Sequence, residues 1–204
     1  MVPLLALFAA VFFQTPEEVQ KRAEELYARG DLEEAEKLLE DLVASRPALA
    51  PARFQLAAVY LRLGRLGEAE KLFTSVLAEL PGNPELCYRI GLAYFLEKRA
   101  EEARRYFERA LEIEPTHAEA LLALGQLEGR DGNLERALAL LEKAASRPVS
   151  HYYRAAVLER MGRDEEMIEA ARRAVDLAPN DAAFRRFLGG AYLKVEDWPR
   201  AEAE

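Results

Sequence analysis

The sequence predicts an all-α protein built from stacked pairs of antiparallel helices, and three observations carry that reading. Alanine recurs at a fixed interval: Ala35, Ala69, Ala103 and Ala137 stand 34 residues apart. Self-similarity at a period of roughly 20–50 residues marks a repeat architecture. The composition agrees, because Ala, Leu, Glu and Arg dominate while β-branched residues are scarce, and the former lose little rotamer freedom in a helix. Turn and cap residues fall at the same points of successive periods.

The elements follow in order. Thr15-Pro16-x-Glu18 is a capping box with proline at the first helical position. At Gly30-Asp31-x-x-Glu34 a left-handed glycine ends one helix and the aspartate is placed to cap the next. Gly64 and Gly132 share the slot of Gly30, with Lys98 in the remaining copy, and Pro47, Pro81 and Pro115 separate successive pairs. Asn83-Pro84 and Thr116-x-x-Glu119 open two later pairs in the same manner as Thr15.

Within a pair the second copy reads Leu56-Ala57-x-x-Tyr60, then Ala69-x-x-x-Phe73. The third reads Ile90-Gly91-x-x-Tyr94, then Ala103-x-x-x-Phe107, and Leu39 and Leu141 hold the Phe slot elsewhere. The small residues (Ala57 with Ala69, Gly91 with Ala103) let two helix axes approach, and the aromatic rings fill the space that remains. One pair cannot bury its apolar face alone, so neighbours must stack.

The register shifts once. After Ala137 the slot is Met167, only 30 residues on, and Ala201 follows 34 later. The connection around Ser146-Arg147-Pro148 is therefore expected to be about one turn shorter than its counterparts. The fifth pair, Tyr153 to Pro179, departs furthest, with Met167 where alanine is expected; a sixth opens with Leu188-Gly189-x-x-Tyr192. Eleven helices and the start of a twelfth at Asp197 or Trp198 are expected, with no strand. The chain stops inside that last helix, so a continuation in a longer protein, or a covering partner, is expected there.

Taken together, Leu-Gly-x-x-Tyr, Ala-x-x-x-Phe and Pro at this period over four or more copies resemble the tetratricopeptide repeat family. The resemblance implies a right-handed superhelical solenoid of about five full repeats and a truncated sixth. It further implies a protein–protein interaction scaffold, not an enzyme, in which the first helix of each repeat lines a concave groove. Phased on that pattern, the groove-facing slots are Gln20, Glu24 and Tyr27, then Phe54, Ala58 and Leu61, then Tyr88, Leu92 and Phe95. Leu122 and Gln126 follow, then Tyr152 and Ala156.

The middle of this surface is apolar and aromatic, and large apolar patches mark contact sites; tight curvature would instead bury the same side chains. Phe54, Leu61, Tyr88, Leu92 and Phe95 are expected to form one strip for a partner helix or peptide, flanked by Arg62 and Arg89. Family members that grip an acidic C-terminus use Lys, Asn and Arg in slots held here by Gln20, Glu24, Phe54, Gln55 and Tyr88, so no such clamp is expected. A recurring cation slot, Arg62, Arg130, Arg160 and Lys194, could hold an acidic partner segment, but it suits helix C-termini better, whose carbonyls and dipole favour positive charge.

Other chemistry finds little support. The net charge of −8 lacks the cationic surplus that displaces counterions from phosphates, so no nucleic-acid partner is expected. Cys87 is the one cysteine, which forbids an internal disulfide and reads as a buried, inert thiol. His117 and His151 lie in inter-helix regions without a second His or Cys at ligand spacing, and are expected to be solvated or helix-start residues. No phosphate loop, Gly-x-Ser-x-Gly elbow or dinucleotide fingerprint occurs. No catalytic residue, metal, cofactor or small-molecule substrate is expected.

Met1 to Phe13 carries no charged side chain. It is shorter than the roughly 20 apolar residues that span a bilayer and suits the apolar region of a secretory signal, although no Lys or Arg precedes it and no small-x-small site ends it. Residues 1–14 are therefore expected to direct export to the periplasm or beyond, and 15–204 to form the solenoid of a bacterial scaffold. If instead the segment is a helix docked on the repeats, a cytoplasmic protein is implied. Two other functions are carried forward: a non-catalytic module of a larger enzyme or regulator, and a structural protein that self-associates through its open C-terminal end.

Overall fold

A computed structural model describes residues 15–203; the apolar segment read as an export signal lies outside them. Among the described residues there are twelve helices and no strand. They are α1 (Pro16–Arg29), α2 (Leu32–Ser45), α3 (Ala50–Arg62), α4 (Leu66–Glu79), α5 (Pro84–Leu96) and α6 (Ala100–Ile113). There follow α7 (Ala118–Asp131), α8 (Leu134–Lys143), α9 (Pro148–Arg160), α10 (Asp164–Leu177), α11 (Ala182–Lys194) and the short α12 (Trp198–Ala203). The expected eleven helices and the start of a twelfth are thus in place.

The described residues divide into two compact units, one of residues up to Asn83 with Leu96–Lys98, the other of Pro84–Phe95 with residues from Arg99 on. In the first, α1 packs on α2, α2 on α3 and α3 on α4. In the second the same succession runs from α6 to α12. First helices of successive repeats also touch, α1 with α3 and α7 with α9.

The recurring residues form the core. Ala35, Ala69, Ala103, Ala137, Phe73, Phe107 and Leu141 are fully buried, and burying one such large side chain contributes about 1.5–3 kcal/mol. The close approach of helices needs the small partners. A methyl group built on Gly91 would stand 2.6 Å from Cδ1 of Phe107, and one on Gly125 would stand 2.8 Å from Cγ of Leu141. In the fifth repeat the sizes are exchanged: Met167 takes the alanine slot and Ala171 the phenylalanine slot. Both are buried in one cluster with Ala155, Leu158 and Leu188, so volume is retained although the pattern is lost.

The register shift is housed differently from the expectation. The connection at 144–147 is as long as that at 114–117. It is α8 that shortens, to 10 residues against 14 for α6. Losing a whole turn keeps the same helix face toward the core, whereas a shorter loop would have changed the angle of entry.

The caps are partly as read. Thr15 Oγ1 accepts from the Glu18 backbone at 3.2 Å and the Glu18 carboxylate accepts from the Thr15 backbone at 2.9 Å, completing the capping box. Gly30, Gly64, Gly132 and Gly162 are left-handed, and the same slot is held by Lys98 at φ 59° and Glu196 at φ 62°. Asp31 makes no capping hydrogen bond and instead pairs with Arg29 at 3.0 Å. The cap of α7 is His117, whose Nδ1 accepts from the Ala120 backbone at 3.2 Å, not Thr116. His151 stands in the first turn of α9, and both histidines are buried. Cys87 is fully buried, and burial pushes its thiol up.

Candidate protein-binding cleft

The expected groove residues separate into those that face outward and those that serve the core. In the first unit Phe54 meets Phe73 edge-on, with ring centroids 5.4 Å apart, and is half-buried, as is Ala58. Leu61 is only 3% exposed, so it forms part of the core and offers a partner nothing. Arg62 donates from Nη1 to the Tyr27 carbonyl at 2.7 Å and lies over the Tyr27 ring. It therefore satisfies the end of α1, as the reading of the cation slot expects. Gln55 donates to Glu24 at 2.7 Å, which occupies two more polar groups of this surface.

In the second unit the Tyr88 ring lies 6.0 Å from Phe107 and 5.6 Å from His117, and Phe95 lies 6.4 Å from Phe107. These half-buried rings rest on core side chains, Leu92 is half-buried beside them in sequence, and Arg89 is exposed. Leu122, at 8% exposure, is buried because it joins the cluster of Leu121, Leu141 and Val157. Tyr152 is half-buried within an aromatic group, 5.3 Å from each of Tyr153, Phe184 and Phe187.

What the spacing did not reveal is a cleft between α7 and α9. Its cavity measures about 200 Å³ and is lined by Gly125, Gln126, Gly129 and Arg130 from α7, Leu141 from α8, and Tyr153, Ala156, Val157 and Arg160 from α9. The cause is local. Gly125 and Gly129 stand four residues apart and so share one helix face, and neither has a side chain to fill the gap. Little room is left at either: a methyl group on Gly125 would stand 2.8 Å from Leu141 Cγ, and one on Gly129 would meet Val157 Cγ2 at 3.3 Å. The pair of glycines four apart was the available signal; adjacency to the Gly132 turn disguised it.

The walls are apolar and the polar groups few. Among the described residues Gln126 is half-buried without a hydrogen-bond partner. Arg160 is committed, donating to the Gly129 carbonyl. Arg130 instead lies over the Phe95 ring, 5.4 Å from its centroid. Burial pushes the Tyr153 phenol up, with Tyr152 adding to the shift, so its hydroxyl keeps its proton. An apolar concavity carrying a few oriented polar groups is the general form of a binding site. This one is smaller than the roughly 300 Å³ at which drug-sized pockets begin, and its size suits a single side chain.

Among the described residues no group of His, Cys, Asp and Glu could hold a metal ion, and no helix is long and apolar enough to cross a membrane.

Tetratricopeptide repeat profiles match residues 26–86 and 64–105, 86–148, and 148–191. No curated protein matches significantly. Solved structures do. PilW, a widely conserved type IV pilus biogenesis factor, is 20% identical with a TM-score of 0.67, over 94% of this chain and 90% of that one. MamA from Desulfovibrio magneticus is 23% identical with a TM-score of 0.63, over 76% and 89%. YrrB, described as having an unusual peptide-binding site, is 20% identical with a TM-score of 0.57, over 88% and 90%. At these identities the likeness is one of fold.

Proposed function

Since the chain belongs to the tetratricopeptide repeat family, we propose that it is an interaction scaffold that holds a segment of a partner protein against its first helices, anchored in the cleft between α7 and α9. The observation that carries this reading is the cleft itself: apolar walls, a glycine floor, and the unengaged amide of Gln126. A side chain of the partner fills the cavity and Gln126 bonds its backbone. Phe95 and Tyr152 extend the contact within the second unit, with Tyr88, Arg89 and Leu92 along α5. YrrB, a protein of the same fold with a peptide-binding site, supports the general mode. Export is part of the proposal and rests on the uncharged apolar run of Met1 to Phe13; mass spectrometry of the N-terminus from fractionated cells tests it, and an intact Met1 on cytoplasmic protein would refute it.

The binding reading is tested by Ala156→Trp, which puts an indole into the cavity. Capture of protein from the native cell extract should fall to background, while the circular dichroism spectrum stays that of the parent. Undiminished capture of the same proteins would refute the cleft. Self-association is a second reading, favoured by Leu193, Val195 and Trp198 at 46%, 39% and 62% exposure. Light scattering over a concentration series checks it, and a constant monomer mass excludes it.

A further inference from the structure

The cation slot that recurs through the repeats behaves differently at one position, and that position borders the cleft. Arg62 reaches the Tyr27 carbonyl, Arg160 the Gly129 carbonyl, and Lys194 the Asp164 carboxylate at 2.7 Å. Each of these side chains is thereby held by a hydrogen bond to a neighbouring helix. Arg130 is exposed, has no carboxylate within ion-pair distance among the described residues, and rests over the Phe95 ring. A guanidinium stacked on an aromatic face keeps its in-plane N–H donors free while its orientation is fixed. It lies at the edge of a cavity whose walls are apolar apart from Gln126, Tyr153 and Arg160.

Resting on the binding reading above, we propose that the cleft selects a partner segment in which an apolar side chain is followed closely by an aspartate or glutamate. The apolar side chain enters between Gly125, Gly129 and Val157, and the carboxylate pairs with Arg130. Charge complementarity is the argument for this occupant: in a protein of net −8, an acidic side chain is favoured beside a cation that, like Arg130, has no carboxylate of its own among the described residues. A side-chain carboxylate fits better than a chain terminus. One guanidinium satisfies the former, and Gln126 serves a chain that runs on past the cavity.

Three dye-labelled probe peptides test this on the full chain. The first is acetyl-Ser-Gly-Ala-Phe-Glu-Gly-Ser-amide, the second has Gln in place of Glu, and the third ends in Phe with a free carboxylate. Fluorescence anisotropy should show the Glu probe binding about threefold more tightly than the Gln probe, as an ion pair with an exposed guanidinium provides. Arg130→Gln should erase that difference and leave the weaker binding, and added salt should narrow it. Arg130 is exposed, so its loss leaves the fold intact; a matching circular dichroism spectrum verifies this. Equal binding of the Glu and Gln probes, both abolished by Ala156→Trp, would overturn the acidic selection and leave the binding reading standing. Preference for the probe with a free terminus would also overturn it. Absence of binding by every probe, with Ala156→Trp silent in extract capture, would overturn both.

Discussion

The buried carboxylate of Glu128 accepts a 2.7 Å hydrogen bond from the side-chain amide of Asn133. Arg104 pairs with the same carboxylate, and Arg136 approaches it at 3.0 Å, so one fully buried acid ties α6, α7 and α8 together. Both arginines have second partners, Asp131 for Arg104 and Glu108 for Arg136. Glu128→Ala leaves these cations partly compensated, so it should cost about 1–3 kcal/mol, the price of unmade buried hydrogen bonds. Urea melts measure it, and an unchanged midpoint would mean the network is ornamental.

Glu128 also shows where sequence reasoning stopped short. It stands 34 residues after Tyr94, in the slot that holds Tyr60 and Tyr192 elsewhere. The period therefore marks it as an exception, but only the structure supplies the two arginines that make a carboxylate tolerable there. The helix pairs themselves were legible, because small and aromatic residues at a fixed period have one economical arrangement. The cap of α7 was misplaced by one residue because His117 competes with Thr116, and an imidazole nitrogen accepts as well as a hydroxyl. The cleft was invisible because it depends on how far apart α7 and α9 lie, which no spacing along the chain records. Leu61 and Leu122 were placed on the binding surface because the pattern gives each slot a direction but no depth.

Two glycines give opposite expectations for the same change. Gly91 faces the buried Phe107 ring, whereas a methyl group on Gly190 in α11 meets nothing within 4 Å. Gly91→Ala should overpack the crossing and cost about 1–3 kcal/mol. Gly190→Ala should stabilise by about 1 kcal/mol through helix propensity. Thermal melts of both variants test the pair, and stabilisation by Gly91→Ala would show the helices to be more loosely packed than described.

Lys98 and Glu196 adopt the left-handed conformation that glycine holds at the equivalent turns. A non-glycine residue there costs roughly 1–2 kcal/mol, part of which glycine returns in unfolded-chain entropy. Lys98→Gly and Glu196→Gly should each raise stability by up to about 1 kcal/mol. A loss in chemical denaturation would contradict the turn assignment.

Stability should also depend on His151. Burial lowers its pKa, Arg154 and Arg173 lower it further, and the 2.9 Å contact of Nε2 with the Ala145 carbonyl opposes the shift. The unfolded chain thus binds the proton more readily than the folded one, and folding is favoured while the ring is neutral. That contribution is present above the ordinary histidine pKa of about 6.5 and is lost as pH falls through the folded value. The difference in melting temperature between the parent and His151→Gln should shrink from pH 7.5 to pH 5. A constant difference would show that the ring titrates normally in the fold.

The most direct test of the binding cleft is site-specific photo-crosslinking in the native cell. Benzoylphenylalanine is placed at Gln126 on the cleft and, as a control, at exposed Arg109 on α6. The crosslinked peptides are then sequenced. The cleft predicts one recurrent partner segment at Gln126, an apolar residue within it at the point of attachment, and no such product from Arg109 or from the Gln126 probe combined with Ala156→Trp. The same segment recovered equally from Arg109, or retained when the cavity is filled, would contradict it.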